Sequence, residues 1–217
     1  MTNPSKPWLK SYPEGVPHNI DQSSFASLVE MFEESFVSYP NRNACEYLGK
    51  FMTYRELDKQ SKSFAAYLQS LGLAPGSRVA IMLPNVIQFQ IAMMGVLRAG
   101  LVVVNVNPLY TARELEYQLK DSGASVLIIL ENFAHVYQKI CKQVSMQKTI
   151  VTSLGEFIGA KGAVVDFVVR HIKKAVPQWS LPQGIRFREA IQLGAGMAFQ
   201  KPVISADDPA FLQYTGG

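Results

Sequence analysis

Three stretches, 79–83, 101–106 and 125–130, are apolar at nearly every position, and a fourth, 148–152, is short and similar in character. Between them lie segments whose apolar residues recur at helical spacing. Residues 86–99 are apolar nearly all round and end at Gly100. Thr111 and Glu114 form a capping box that opens a helix through Leu115 and Leu119, ended by Asp121-Ser122-Gly123. Phe133, Val136, Tyr137, Ile140 and Cys141 mark another helix. A strand that is apolar on both faces has to be covered on both, and strands of this kind alternating with helices imply a parallel sheet between helical layers. The fold class is therefore α/β, a parallel sheet flanked by helices, with its core at about 78–152.

Upstream, residues 1–20 carry Pro4, Pro7, Pro13 and Pro17 with Trp8 and Tyr12 between them, a pattern that excludes a signal peptide and suggests an extended surface arm. Ser23 or Ser24 is placed to cap a helix built on Phe25, Leu28, Val29, Phe32 and Phe36. Residues 44–48 and 51–54 flank Gly49-Lys50 as a hairpin with glycine first, the type II′ arrangement. Thr53 and Glu56 form another capping box, before a helix striped by Leu57, Phe64, Ala65, Leu68 and Leu71 and stopped by Gly72. Residues 79–97 carry no charge and match the ~20 residues of a bilayer span. Pro84-Asn85 divides them into a strand and a helix, which reads as protein core.

The chain has 217 residues, 48% of them hydrophobic, enough for a substantial core. A net charge of +4 suits an anionic ligand, but no basic run is interleaved with aromatics, so nucleic acid is not implied. Cys45 and Cys141 are far apart and read as small buried apolar residues in a reducing compartment. Residues 156–174 combine Phe157, Ile158, Val164, Val165, Phe167, Val168 and Ile172 with Arg170, His171, Lys173 and Lys174. Two readings stay open: a surface helix whose basic end suits the helix dipole, or a segment resting on an anionic membrane through Arg170, Lys173 and Lys174 with about 1 kcal/mol per charge. Residues 177–202 look largely irregular around a short helix near 189–193. They lead to a final strand at 210–214.

Chemistry is sparse. His18, His135 and His171 have no nucleophile motif nearby, and Asp207-Asp208 reads as a polar loop entering a strand rather than a metal site. Asn105 and Asn107, beyond the carboxyl end of one strand, and Pro84-Asn85, beyond another, either orient a ligand or serve as turn residues. No dinucleotide glycine fingerprint follows any strand, which disfavours a nicotinamide-dependent oxidoreductase. The suggestive stretch is Tyr214-Thr215-Gly216-Gly217. It is either a strand ending in a turn or the opening of a loop that brings backbone N–H groups to a ligand.

Met82-Leu83-Pro84-Asn85, Gly95-Val96-Leu97-Arg98-Ala99-Gly100, the run from Val104-Asn105-Val106-Asn107-Pro108 to Leu109-Tyr110-Thr111-Ala112-Arg113-Glu114-Leu115, and Leu212-Gln213-Tyr214-Thr215-Gly216-Gly217 together resemble the bacterial long-chain fatty-acid-CoA ligases, adenylate-forming enzymes. The resemblance implies that residues 21–217 are an incomplete N-terminal AMP-binding domain, with a basic helical segment at about 156–176 and a strand into the nucleotide loop at 207–217. It implies ATP, Mg2+ and coenzyme A as reactants or cofactors of the parent, a long-chain fatty acid as substrate, and Tyr214, Thr215, Gly216 and Gly217 as nucleotide-loop residues. The family's catalytic residues and metal ligand would lie beyond Gly217, so the chain alone is expected to be inactive. A cytoplasmic location with peripheral contact to the inner membrane is expected, and a homodimer stays open. The rival reading is a non-catalytic module for membrane docking or self-association.

Overall fold

The computed structural model describes residues 6–19, 24–181 and 183–215. The arm is not wholly extended. Pro7–Ser11 forms a 3-10 turn without a buried residue. Helix α1 (Leu28–Ser38) is capped by Ser27, whose side chain accepts from the Glu30 N–H while the Glu30 carboxylate accepts from the Ala26 N–H. The expected cap Ser24 lies outside this box, and Ser23 lies outside the described residues. Strands β1 (Asn43–Tyr47) and β2 (Lys50–Thr53) pair antiparallel, with Leu48-Gly49 rather than Gly49-Lys50 as the turn. Leu48 and Gly49 both have positive φ, 49° and 76°, which makes the turn type I′ instead of II′.

Helix α2 (Tyr54–Ser70) starts at the expected capping box, Thr53 with Glu56, and Gly72 follows its end at φ 69°. From there the chain alternates: β3 (Arg78–Met82), α3 (Ile87–Arg98), β4 (Val102–Asn105), α4 (Ala112–Ser122), β5 (Val126–Leu130), α5 (Glu131–Gln138) and β6 (Lys148–Thr152). The basic segment is a helix only from α6 (Lys161–Phe167), which continues as a π turn at Val168–Ile172. Gly155 and Gly159 lie in the turns of the stretch before it. The irregular connection contains a strand that the sequence pattern does not announce, β7 (Gly184–Arg186), and then α7 (Phe187–Ala195), longer than expected. The last strand is β8 (Phe211–Gln213).

The sheet order is β7-β6-β5-β3-β4-β8, and every pairing in it is parallel. Alternate residues serve two cores. Val79, Ile81, Val103, Val126 and Ile128 pack with α1, α2, α3 and α7, while Ala80, Met82, Val104, Leu127 and Ile129 pack with α4 and α5. Two buried polar side chains of α3 tie layers together. Gln88 on α3 donates to Thr152 Oγ1 and to the Ser153 carbonyl, closing one layer onto the end of β6. Arg98 at the end of α3 meets Asp58 at 2.7 Å and Glu33 at 3.4 Å, joining three helices. Helix packing is close where Cβ atoms are absent: a methyl on Gly95 would lie 2.6 Å from Phe64 on α2, and one on Gly194 would fall on the Ser63 carbonyl oxygen. The cysteines are free and only half-buried, which corrects the expectation of full burial.

Candidate nucleotide-binding site

Chain direction reverses its choice of neighbour between β4 and β5, which lie on opposite sides of β3, and a parallel sheet opens a ligand crevice outside its carboxyl ends at such a point. The carboxyl ends present Pro84-Asn85 after β3, Asn105 to Asn107 after β4, Glu131 after β5, Ser153 after β6 and Tyr214-Thr215 after β8. The expected loop residues Tyr214 and Thr215 therefore stand on this rim. Gly216 and Gly217 lie outside the described residues.

The rim around β8 is held by side chains. Asn105 Nδ2 donates to Gln213 Oε1 at 2.9 Å across the β4–β8 pair, and Gln118 Nε2 on α4 donates to the Asn105 carbonyl at 2.8 Å. Tyr214 packs its ring on the α4 side of the sheet and donates its hydroxyl to Asp121 Oδ2 at 2.5 Å. Burial first, then the hydrogen bond to Asp121 and its negative charge, push the Tyr214 phenol up to about 12. The hydroxyl is thus a donor throughout the neutral range. Asn107 accepts from the Leu109 N–H at 3.0 Å, the turn role of an asparagine. Asp208 accepts from the Ser205 N–H and Ser205 Oγ from the Asp207 N–H, so the acidic pair is a polar loop leading into β8.

Elsewhere polar clusters are satisfied internally. Glu131, with its side chain 3% exposed, receives both Arg170 Nε and Nη2, at 2.8 and 2.9 Å, and Arg186 at 3.2 Å. Asp166 accepts from Ser153 Oγ and from the Gly155 N–H. Arg170 is therefore committed to the protein, and Lys173 and Lys174 remain exposed. Among the described residues no group of three or more His, Cys, Asp or Glu is placed to hold a metal ion. The carboxylate that meets the rim at Tyr214, Asp121, is engaged by that hydroxyl. These residues do not fit a magnesium site. His18 and His171 are exposed and His135 half-buried. An apolar cavity of about 530 Å3, lined by Leu28, Val29, Leu97, Leu101, Pro202 and Ile204 among others, opens at the opposite, amino ends of β3, β4 and β8.

What the sequence missed here are Asp121, Gln118 and the pairing of Asn105 with Gln213. Asp121 was legible only as part of a helix stop, because its partner is 93 residues away.

Residues 32–217 match the family model described as AMP-binding enzyme. The chain is 51% identical over 214 residues to a long-chain-fatty-acid–CoA ligase of Salmonella typhimurium, covering 98% of this chain and 38% of that relative. Among solved structures, the anthranilate CoA ligase AuaEII in complex with anthranoyl-AMP superposes with a TM-score of 0.68 at 18% identity, over 87% of this chain and 32% of that one. The Klebsiella oxytoca NpsA N-terminal subdomain in complex with 3-hydroxybenzoyl-AMSN does so with a TM-score of 0.59 at 26% identity, over 88% and 38%. The chain spans about two fifths of the length of the curated relatives it matches. These likenesses favour an enzyme portion over the rival non-catalytic module. A sequence that matches the family model across residues 32–217, and a six-stranded parallel sheet whose last strand runs into Tyr-Thr-Gly-Gly, make this chain a member of the AMP-binding enzyme family.

Proposed function

We propose that the chain is the N-terminal part of a long-chain fatty-acid-CoA ligase. The observation that carries this is the 51% identity across 98% of the chain to a ligase of that description. In the proposed reaction a fatty carboxylate oxygen attacks the α-phosphorus of ATP, the bond to the pyrophosphate leaving group breaks, and acyl-adenylate forms. The thiol of coenzyme A then attacks the acyl carbon and expels AMP. Mg2+, which the resemblance implies beside ATP, would neutralise phosphate charge, and no group of three or more His, Cys, Asp or Glu among the described residues is placed to hold it.

Within this division of labour the chain's own residues bind and orient. Tyr214, Thr215, Gly216 and Gly217 begin the loop whose backbone N–H groups face the β- and γ-phosphates as charge moves onto the leaving group, so their contribution is positioning and electrostatic. Of the proposed arm at 1–20, residues 6–19 lie at the surface, and 1–5 and 20 lie outside the described residues; 21–217 are proposed as an incomplete domain. The test is the full-length protein incubated with ATP, coenzyme A and palmitate: acyl-CoA and AMP are expected in equal amounts, and absence of both, with a stable fold, sinks the proposal.

A peripheral membrane contact from a cytoplasmic protein is a second reading, favoured by one observation. Val164, Phe167 and Ile172 are 64%, 57% and 64% exposed beside the exposed Lys173 and Lys174. With Arg170 paired to Glu131, two charges remain, worth about 2 kcal/mol at an anionic surface. No helix among the described residues is long and apolar enough to cross a membrane. Co-sedimentation with anionic vesicles, reduced by Lys173→Glu plus Lys174→Glu, is the expected result; equal sedimentation of both proteins removes the reading.

A further inference from the structure

Tyr214 is the first residue beyond β8, and its hydroxyl ends on Asp121, in the last turn of α4. Helix stability does not explain a carboxylate at that place. The carboxyl end of a helix carries partial negative charge and disfavours an anion. The neighbouring Lys120 pairs with Glu116 at 2.5 Å, so it is not aimed at Asp121. One turn back on the same helix, Gln118 holds the carbonyl of Asn105, and the Asn105 amide holds the side chain of Gln213. Helix α4 thus grips the last residue of β4, the last residue of β8 through it, and the residue after β8 directly.

We propose that Asp121 is a positioning residue for the nucleotide loop: by accepting the hydrogen bond from the Tyr214 hydroxyl it sets the point and direction in which the chain leaves β8. The inference rests on the ligase reading and adds to it a residue remote in sequence from the loop. A loop whose backbone donors cradle phosphate loses affinity when its root is free to swing, because the ordering of those donors is then charged to ATP binding. Asp121 touches no reacting atom. Its effect therefore belongs in the ATP affinity and not in the use of coenzyme A.

The experiment takes the full-length protein with Tyr214→Phe, Asp121→Ala, Asp121→Asn and the double variant Tyr214→Phe plus Asp121→Ala. Acyl-CoA formation is followed against ATP and against coenzyme A, and each variant is melted. Tyr214→Phe and Asp121→Ala are expected to raise KM for ATP about five- to tenfold, the size of one charge-assisted hydrogen bond partly open to water. KM for coenzyme A should stay unchanged. Asp121→Asn keeps an acceptor and should fall between, and the double variant should be no worse than either single one. An unchanged KM for ATP in active, folded variants, or fully additive losses, overturns the inference and leaves the ligase reading intact. A wild type without ATP-dependent activity overturns the ligase reading, and the inference falls with it.

Discussion

At the scale of single residues, the two capping boxes hold α2 and α4 by charge-assisted hydrogen bonds. The Glu56 carboxyl is held below its ordinary value of 4.5, first by the Thr53 N–H, and the Glu114 carboxyl is lowered first by the Thr111 hydroxyl. A depressed folded-state value means that the folded protein binds fewer protons than the unfolded one. Its stabilisation is then complete above pH 4.5 and is lost as pH falls through the folded value. Glu56→Gln together with Glu114→Gln should therefore flatten the fall in melting temperature between neutral pH and acid, and Thr53→Ala or Thr111→Ala should each cost about 1 kcal/mol in a denaturant titration. Arg98 shows the costlier kind of residue. Its side chain is 6% exposed, meets Asp58 and Glu33, and lies over the rings of Phe36 and Phe199. Arg98→Ala is expected to destabilise the fold by about 3 kcal/mol, because the partners lose a buried countercharge and the rings lose a packed neighbour; Arg98→Met should recover part of this. The same denaturant titration reads both variants.

At the scale of elements, what was legible in the sequence is what is local. Thr53 with Glu56 and Thr111 with Glu114 start their helices where the three-residue spacing puts them, and the apolar runs before Pro84 and after Gly100 became β3 and β4. The errors have equally particular causes. Ser23, Ser24 and Ser27 are all capable caps, and only the reach of Glu30 to the Ala26 N–H selects Ser27. Strand β7 is Gly-Ile-Arg, with one apolar side chain, and is a strand only because β6 offers it a free edge. Of the candidate site, the sequence pattern placed Tyr214 and Thr215 at the end of an apolar strand, whereas the hydrogen bond from Tyr214 to Asp121, 93 residues away, exists only through the tertiary fold. Packing between elements gives a sharper test. Gly194→Ala places a methyl on the Ser63 carbonyl and must push α7 away from α2, so a loss of about 2 to 3 kcal/mol is expected by denaturation, against under 0.5 for the exposed Gly196→Ala. Glu131 ties α5 to the π turn through Arg170 and to β7 through Arg186. Glu131→Ala should raise hydrogen exchange across 161–172 before it lowers protection of β3 to β5.

At the scale of the whole molecule, the described residues supply a six-stranded parallel sheet and two residues beyond its strand β8, and among them no group of three or more His, Cys, Asp or Glu is placed to hold a metal ion. On the proposed ligase reading, in which Tyr214 to Gly217 only begin the phosphate-facing loop, titration of ATP into the 217-residue chain alone is expected to give a dissociation constant no tighter than about 1 mM; micromolar affinity by calorimetry would refute this. Among the described residues the two edge strands of the sheet, β7 and β8, are three residues long each. Brevity there matters for a chain that spends time in dilute or crowded solution with its core already formed. A long, flat rim would template addition of a strand from a neighbouring copy and seed fibrils, whereas a three-residue rim presents too few free N–H and C=O groups to hold one. Edges as short as those of β7 and β8 thus give foreign strands little to grip.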